Sequence, residues 1–420
     1  MDAAIASSRP QPGAINGRSE MGLLFEGLKV IDCGSFIAAP AAATILSDFG
    51  ADVIKIEPPG VGDPYRHLTK LPGHPKSDQN YAWMLGSRNK RSLAVDMAKP
   101  EGKIAIQRLA SQADVFITNY PAAVRKKLGI GYEALSELND RLIYASFSGY
   151  GENGAEATKP GFDVTAWWAR SGLMDTVRAS SESVPVRPAN GMGDHSAGFT
   201  LYSGIVMALY QRQSTGKGTE VSSSLVANGL WANGYNAQAA LCGATFTDRP
   251  AREVAFNALT NYYKCRDGRW LILTILNEEK QWPEFMKCLD REDLIDDPRF
   301  AKKVDRLTRS RELIALLDKE FEKKDRSELR KRLTERGIVF DVVATPEDIP
   351  SDQQLLDNDI LIPFAGSETR TINSPIALRG VDKAQPRMPP SVGQHSDEVL
   401  KEAGFDTATI AQMRAAGAIG

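Results

Sequence analysis

Few side chains able to do chemistry are spaced to do it together. The four cysteines, Cys33, Cys242, Cys265 and Cys288, make no CxxC-type pair. A disulfide framework or a structural zinc site needs closer spacing. The histidines, His67, His74, His195 and His395, form no HExxH or HxxxH pair, so no metal is expected. Gly149-Tyr150-Gly151-Glu152-Asn153-Gly154 has the glycine spacing of a dinucleotide loop. Such a loop works only if its last glycine opens a helix that faces the pyrophosphate. Pro160 and Gly161 follow within seven residues, which leaves no room for that helix, so the match is a decoy. What remains is a carboxylate set among glycines, Gly191-Met192-Gly193-Asp194-His195. On the Gly-Asp pair alone the ordinary reading is a turn or a helix N-cap.

The surrounding chain reads as alternating strands and helices. LKVIDC (Leu28–Cys33) is a short apolar strand that ends at Gly34. A small-residue helix, Pro40–Phe49, and a second strand, DVIKIE (Asp52–Glu57), complete a right-handed βαβ unit. The pattern continues with strand Ser92–Val95, helix Pro100–Gln112, strand Val115–Thr118, two short helices (Ala122–Leu128, Tyr132–Leu138) and strand Leu142–Phe147. This alternation predicts a mostly parallel sheet covered on both faces, with ligands at the carboxyl ends of its strands. The loops after Cys33, Glu57, Thr118 and Phe147 are therefore where chemistry belongs. Residues 196–242 read as long helices broken at Gly216 and Gly218, with a short strand at Glu220–Ser222. NYYKC and RWLILTI flank Arg266-Asp267-Gly268, a hairpin signal. Residues 278–340 alternate charged and apolar residues at helical spacing, and Ser396–Ala415 reads as a closing helical stretch.

The expected class is therefore α/β, with a parallel-sheet large domain and a smaller α/β domain inserted into it. The expected boundaries are a loose tail over 1–23, the large domain over 24–225, the small domain over 226–345 and a return segment over 346–420. With 420 residues, 42% apolar and 25% charged, the chain can bury large cores. A net charge of −2 excludes a strongly basic nucleic-acid binder and a polybasic membrane-surface protein. The longest apolar run, Phe36–Leu46, has 11 residues and contains Pro40, whereas a membrane span needs about 20. Asp2 and the absence of an apolar core near the N-terminus argue against a secretory signal, so a cytoplasmic location is expected.

Several stretches together resemble one family. They are 27–66 (GLKVIDCGSFIAAPAAATILSDFGADVIKIEPPGVGDPYR), NKRSLAVDMAKPEGK (89–103), ADVFITNYPAAVRKKLG (113–129), PGFDVTAWWARSGL (160–173), GMGDHSAG (191–198), TGKGTEVSSSL (215–225) and GQHSDEVLKEAGF (393–405). In this order and over nearly the whole chain they resemble the family III CoA-transferases, the CaiB/BaiF group. The α-methylacyl-CoA racemases share that fold. The resemblance implies a Rossmann-like large domain and an interlocked homodimer. It also implies acyl-CoA and a carboxylic acid as substrates, with no tightly bound cofactor.

It further implies that Asp194 is the nucleophile. A carboxylate attacks a thioester to give an anhydride and then an aspartyl-CoA thioester, thioester being exchanged for thioester without ATP. An aspartate is ordinarily ionised at neutral pH, so His195 is read as a neighbour rather than a base. By motif match, Asn119 and Tyr120 fall where the nucleotide end of CoA is held, Val95 beside the adenine, Lys127 at a phosphate, and Ile37 and Ala38 beside the thioester. The Asn89–Arg91 run reads equally well as a salt-bridged turn. Oxalate-using members carry a glutamine where Ile37 stands and a glycine-rich flap where this chain has Phe256–Asn261 without a glycine run. An apolar, aryl or 2-hydroxy acid is therefore expected rather than oxalate. Trp167 and Trp168 point the same way unless they are ordinary core. The racemase reading needs a histidine where Gly161-Phe162-Asp163 has phenylalanine, which cannot move a proton. A non-catalytic CoA-binding protein is the other alternative, and the intact Asp194 speaks against it.

Overall fold

In the computed structural model, which describes residues 22–420, six strands form one sheet: β1 (Lys29–Cys33), β2 (Asp52–Glu57), β3 (Arg91–Ala94), β4 (Val115–Thr118), β5 (Ile143–Ser148) and β6 (Thr219–Ser224). Apart from its last two residues, the tail expected over 1–23 lies outside the described residues. The strand order is β3-β2-β1-β4-β5-β6, and every neighbouring pair is parallel. Val30, Val53 and Val115 stand in register on one face and Ile31, Ile54 and Phe116 belong to the core on the other, so the central strands are apolar on both faces.

One face is covered by two helices, Ala38–Asp48 and Met192–Thr215. The first, AAPAAATILSD, is buried along its whole length, because small residues let it lie between the sheet and the second helix. The contact is close: a Cβ on Gly198 would lie 2.6 Å from the Ala38 carbonyl oxygen. The other face is covered by Pro100–Ala110 and by two C-terminal helices, Ser396–Glu402 and Thr407–Ala415, whose Val399, Leu400, Ile410 and Met413 join the same core. The single stretch expected over Ser396–Ala415 is thus divided. Gly404, at φ +93°, ends its first part, and Asp406 Oδ1 accepts the Thr409 amide to start the second.

A separate antiparallel sheet, β7 (Tyr262–Lys264), β8 (Trp270–Leu273) and β9 (Phe340–Val342), packs with helices between 278 and 335 around Trp282, Phe285, Leu313 and Phe321. Gly268 turns the β7–β8 hairpin at φ +77°, as Asp-Gly predicts. No helix among the described residues is long and apolar enough to cross a membrane.

Candidate active site

The strand order reverses between β1 and β4, which opens a crevice at their carboxyl ends. The loop after β1, Gly34–Ile37, forms one lip of it. Asn119, just past β4, ties that lip across the crevice: the Ser35 amide donates to Asn119 Oδ1 at 2.8 Å, and Asn119 Nδ2 donates to the Ser35 carbonyl at 2.8 Å. Beneath the loop lies a buried charge cluster. Lys55 pairs with Asp63 at 2.8 Å and lies 3.8 Å from Asp32, while Lys90 pairs with Asp32 at 2.8 Å. Lys55 also donates to the Gly34 carbonyl, and Asp63 Oδ1 accepts the Phe36 amide at 3.1 Å. These bonds hold Phe36 at φ +61°, a left-handed conformation that a bulky side chain rarely adopts.

Asp194 lies in the first turn of the Met192–Thr215 helix, opened by Gly191 at φ +72°. Glycine is needed here for two reasons. The conformation at Gly191 is left-handed, and a Cβ on Gly193 would lie 2.7 Å from the Trp167 ring. Neither the Gly193 nor the Asp194 amide donates to a backbone carbonyl, as expected at a helix start. A second carboxylate faces this turn. Asp163 opens a seven-residue π-type turn, Asp163–Ala169, a rare wide form frequent at functional sites. It is only 7% exposed, its Oδ1 accepts the Val164 amide at 2.7 Å, and its Oδ2 has no partner.

Electrostatics separate this pair from ordinary carboxylates. Burial, and secondarily the charge of Asp163, push Asp194 up to about 7. A helix N-terminus would favour the ionised form, but here burial outweighs it. Asp194 is thus only partly ionised at neutral pH, which corrects the expectation of an ordinary carboxylate. Asp163 is also raised by burial, against the amides of Val164, Gly193 and Gly191 that face it. His195 is lowered by burial and by nearby Arg88, so it is neutral. The Tyr65 phenol is raised by burial first and next by the charge of Asp194, which marks the two as neighbours. Tyr65 packs with Ile37, Ala82 and Trp83.

Ile37 and Ala38 lie at this site: Ile37 Cδ1 would be 3.0 Å from a Cβ on Gly191, and the Ala38 carbonyl lies against Gly198 of the Asp194 helix. Asn119 and Tyr120 stand at the crevice, Asn119 with its amide committed to Ser35 and Tyr120 half-buried. Val95 is 2% exposed and bridges to Ile419, so its side chain belongs to the core. Lys127 is exposed near the end of the Ala122–Leu128 helix. Trp167 and Trp168 are buried and stacked at 5.7 Å, the first forming the wall behind Gly193. Lys90 and Arg91 are bound into ion pairs, and Asn89 accepts the Arg387 amide, so this run is structural. Tyr65 and Asp163 lie in the stretches GDPYR and PGFD, whose residue types alone give neither a role of its own. A mostly apolar cleft of about 570 Å³, lined by Ala41, Ile45, Leu85 and Phe199, lies against His195.

With this geometry in view, the likenesses to known proteins are informative. The family model described as CoA-transferase family III matches residues 25–396. The (R)-2-hydroxy-4-methylpentanoate CoA-transferase of Clostridioides difficile is 34% identical, over 91% of this chain and 96% of its own. The cinnamoyl-CoA:phenyllactate CoA-transferase of Clostridium sporogenes is 32% identical, over 93% and 96%. A crystal structure of a CaiB/BaiF family protein from Brucella suis superposes with a TM-score of 0.82 at 26% identity, covering 91% of this chain and all of that one.

Proposed function

The chain belongs to CoA-transferase family III, and on that premise we propose that Asp194 carries CoA from an acyl-CoA donor to a free carboxylic acid. The observation that carries the reading is a single carboxylate in the first turn of a glycine-opened helix, beside a crevice at the strand-order reversal. Ionised Asp194 attacks the thioester carbonyl. The C–S bond breaks, CoA leaves as thiolate, and an acyl anhydride forms on the side chain. The thiolate then attacks the Asp194 carbonyl, expelling the donor acid and leaving an aspartyl-CoA thioester. The acceptor carboxylate attacks that thioester, forming a second anhydride and releasing CoA thiolate, which attacks the acceptor's acyl carbon and expels the Asp194 carboxylate, giving the new acyl-CoA. Each addition places negative charge on an oxygen near the N-terminal turn of the helix, whose positive end favours it.

On this reading Ile37 and Ala38 flank the thioester, Asn119 and Tyr120 border the nucleotide end, and Lys127 meets a phosphate. Val95 would contribute through its backbone. The acids are apolar, aryl or 2-hydroxy acids, supported by the apolar Ile37 and by the named substrates of the two bacterial relatives. A homodimer is part of the same reading. Trp231 and Tyr235 are 88% and 90% exposed, with Met207, Tyr210 and Leu241 also bare, and so apolar a surface calls for a cover. The separate core within 258–338 supports dividing the chain into 24–225 with 346–420, and 226–345. A cytoplasmic location agrees with three buried, unpaired cysteines.

The test is CoA exchange between a labelled acyl-CoA and a panel of free acids. Exchange that Asp194→Ala abolishes supports the reading. Absence of exchange with every acid, or rapid deuterium uptake at the α-carbon of a chiral 2-methylacyl-CoA without acceptor, overturns it.

A further inference from the structure

We propose that Phe36 and Phe162 form an apolar lip over Asp194 that grips the tail of the acyl group and sets which acids are used. The proposal rests on the transferase reading above and names residues for its specificity.

The two rings meet edge to face, with centroids 6.0 Å apart and planes at 88°. They come from different elements, the loop after β1 and the approach to the Asp163 turn. Each is the chain neighbour of a residue that packs against or faces the Asp194 turn. Phe36 precedes Ile37, which abuts Gly191, and Phe162 precedes Asp163, whose carboxylate faces the Gly191 and Gly193 amides. Each ring is therefore one residue along the chain from a group that abuts the Asp194 turn, on either side of it.

Neither ring is core. Phe36 is 36% exposed and Phe162 is 61% exposed, whereas Ile37 and Asp163 behind them are buried. Phe36 is also held where a bulky residue is rarely found. Its left-handed backbone is fixed by Asp63, itself paired with Lys55, and by the two Asn119–Ser35 hydrogen bonds. Strain of this kind persists only where surrounding bonds enforce it, and it clusters at functional sites. A T-shaped pair leaves an edge and a face open to a third apolar surface, the arrangement that suits an aryl or branched aliphatic tail. A short acyl group such as acetyl does not reach far enough to gain from it.

The experiment compares kcat/KM for a bulky donor, 3-phenylpropanoyl-CoA, with that for acetyl-CoA in the wild type, Phe162→Leu, Phe36→Leu and Phe199→Leu, a change in the cleft against His195. Because Phe162 is mostly exposed, its substitution leaves the fold intact, and circular dichroism checks this for every variant. The expected result is a fall of roughly tenfold in the bulky-to-small ratio for both lip variants, the scale of one lost apolar contact in a binding pocket. The loss falls mainly on KM for the bulky donor. An unchanged ratio in the folded lip variants overturns the proposal. So does a ratio moved by Phe199→Leu alone, which would seat the tail in the cleft. Wild-type protein that exchanges CoA with neither donor overturns the transferase reading itself, a failure distinct from either of these.

Discussion

Asp163→Asn removes one negative charge beside Asp194 and keeps the size of the side chain. The rise of Asp194 from 3.8 to about 7 comes first from burial and second from Asp163. The Asp163 share is therefore the smaller part of the rise. Without it, Asp194 should titrate lower than about 7. At pH 6 the ionised fraction of the nucleophile should then grow, by up to about tenfold for each pH unit that the group moves. At pH 8.5 both forms are almost fully ionised and the gain disappears. The sign follows from the chemistry: attack needs the carboxylate, so activity is lost as pH falls through the pKa of Asp194. The assay is kcat/KM for acyl-CoA between pH 5 and 9, which reports the free enzyme. An acid limb that stays in place, or moves to higher pH, refutes the electrostatic account. Loss of activity in a folded variant also refutes it, since Asp163 would then do more than tune its neighbour.

Three further outcomes follow from the packing and the charges. Asp194→Asn should raise the melting temperature at pH 8. A carboxyl raised in the fold costs stability as pH climbs from its unfolded value towards about 7, by about 2 kcal/mol after allowing for partial exposure, and the difference should vanish below pH 4. Lys55→Met should destabilise by about 3–5 kcal/mol in urea unfolding, because it strands Asp63 and weakens the compensation of Asp32 inside the protein. Gly193→Ala should cost about 1–3 kcal/mol, because its Cβ meets the buried Trp167 ring, and kcat should fall while CoA affinity in calorimetry is retained.

The sheet was legible because its strands are short apolar runs bounded by glycine and polar turns. Asp52–Glu57 and Val115–Thr118 have the boundaries that their sequences predict. A catalytic role for Asp194 is an expectation of the GMGDHSAG resemblance, since a Gly-Asp pair alone describes many turns; the fold adds that Asp194 lies in the first turn of a glycine-opened helix. Three features were hidden, each because it joins distant segments. Lys55 sits in the apolar pattern DVIKIE, yet its partners come from β1 and from the loop at Asp63. Asp163 meets the Asp194 turn across almost 30 residues, and the raised pKa of Asp194 is a consequence of burial that no motif encodes. Val95 reads as an open strand end, but the chain's last residues close over it. The two tryptophans are apolar as expected, and packing makes them a wall rather than a surface.

The central claim is that Asp194 becomes covalently acylated during turnover. The direct measurement is mass spectrometry of the peptide containing Asp194 after hydroxylamine is added to enzyme turning over an acyl-CoA. An anhydride or thioester on the side chain is converted to a hydroxamate, a gain of about 15 mass units, as an activated carboxyl requires. The account predicts that this adduct appears on Asp194, depends on acyl-CoA and is absent from Asp194→Ala. An adduct on Asp163 instead, or an unmodified Asp194 while exchange proceeds, would contradict it.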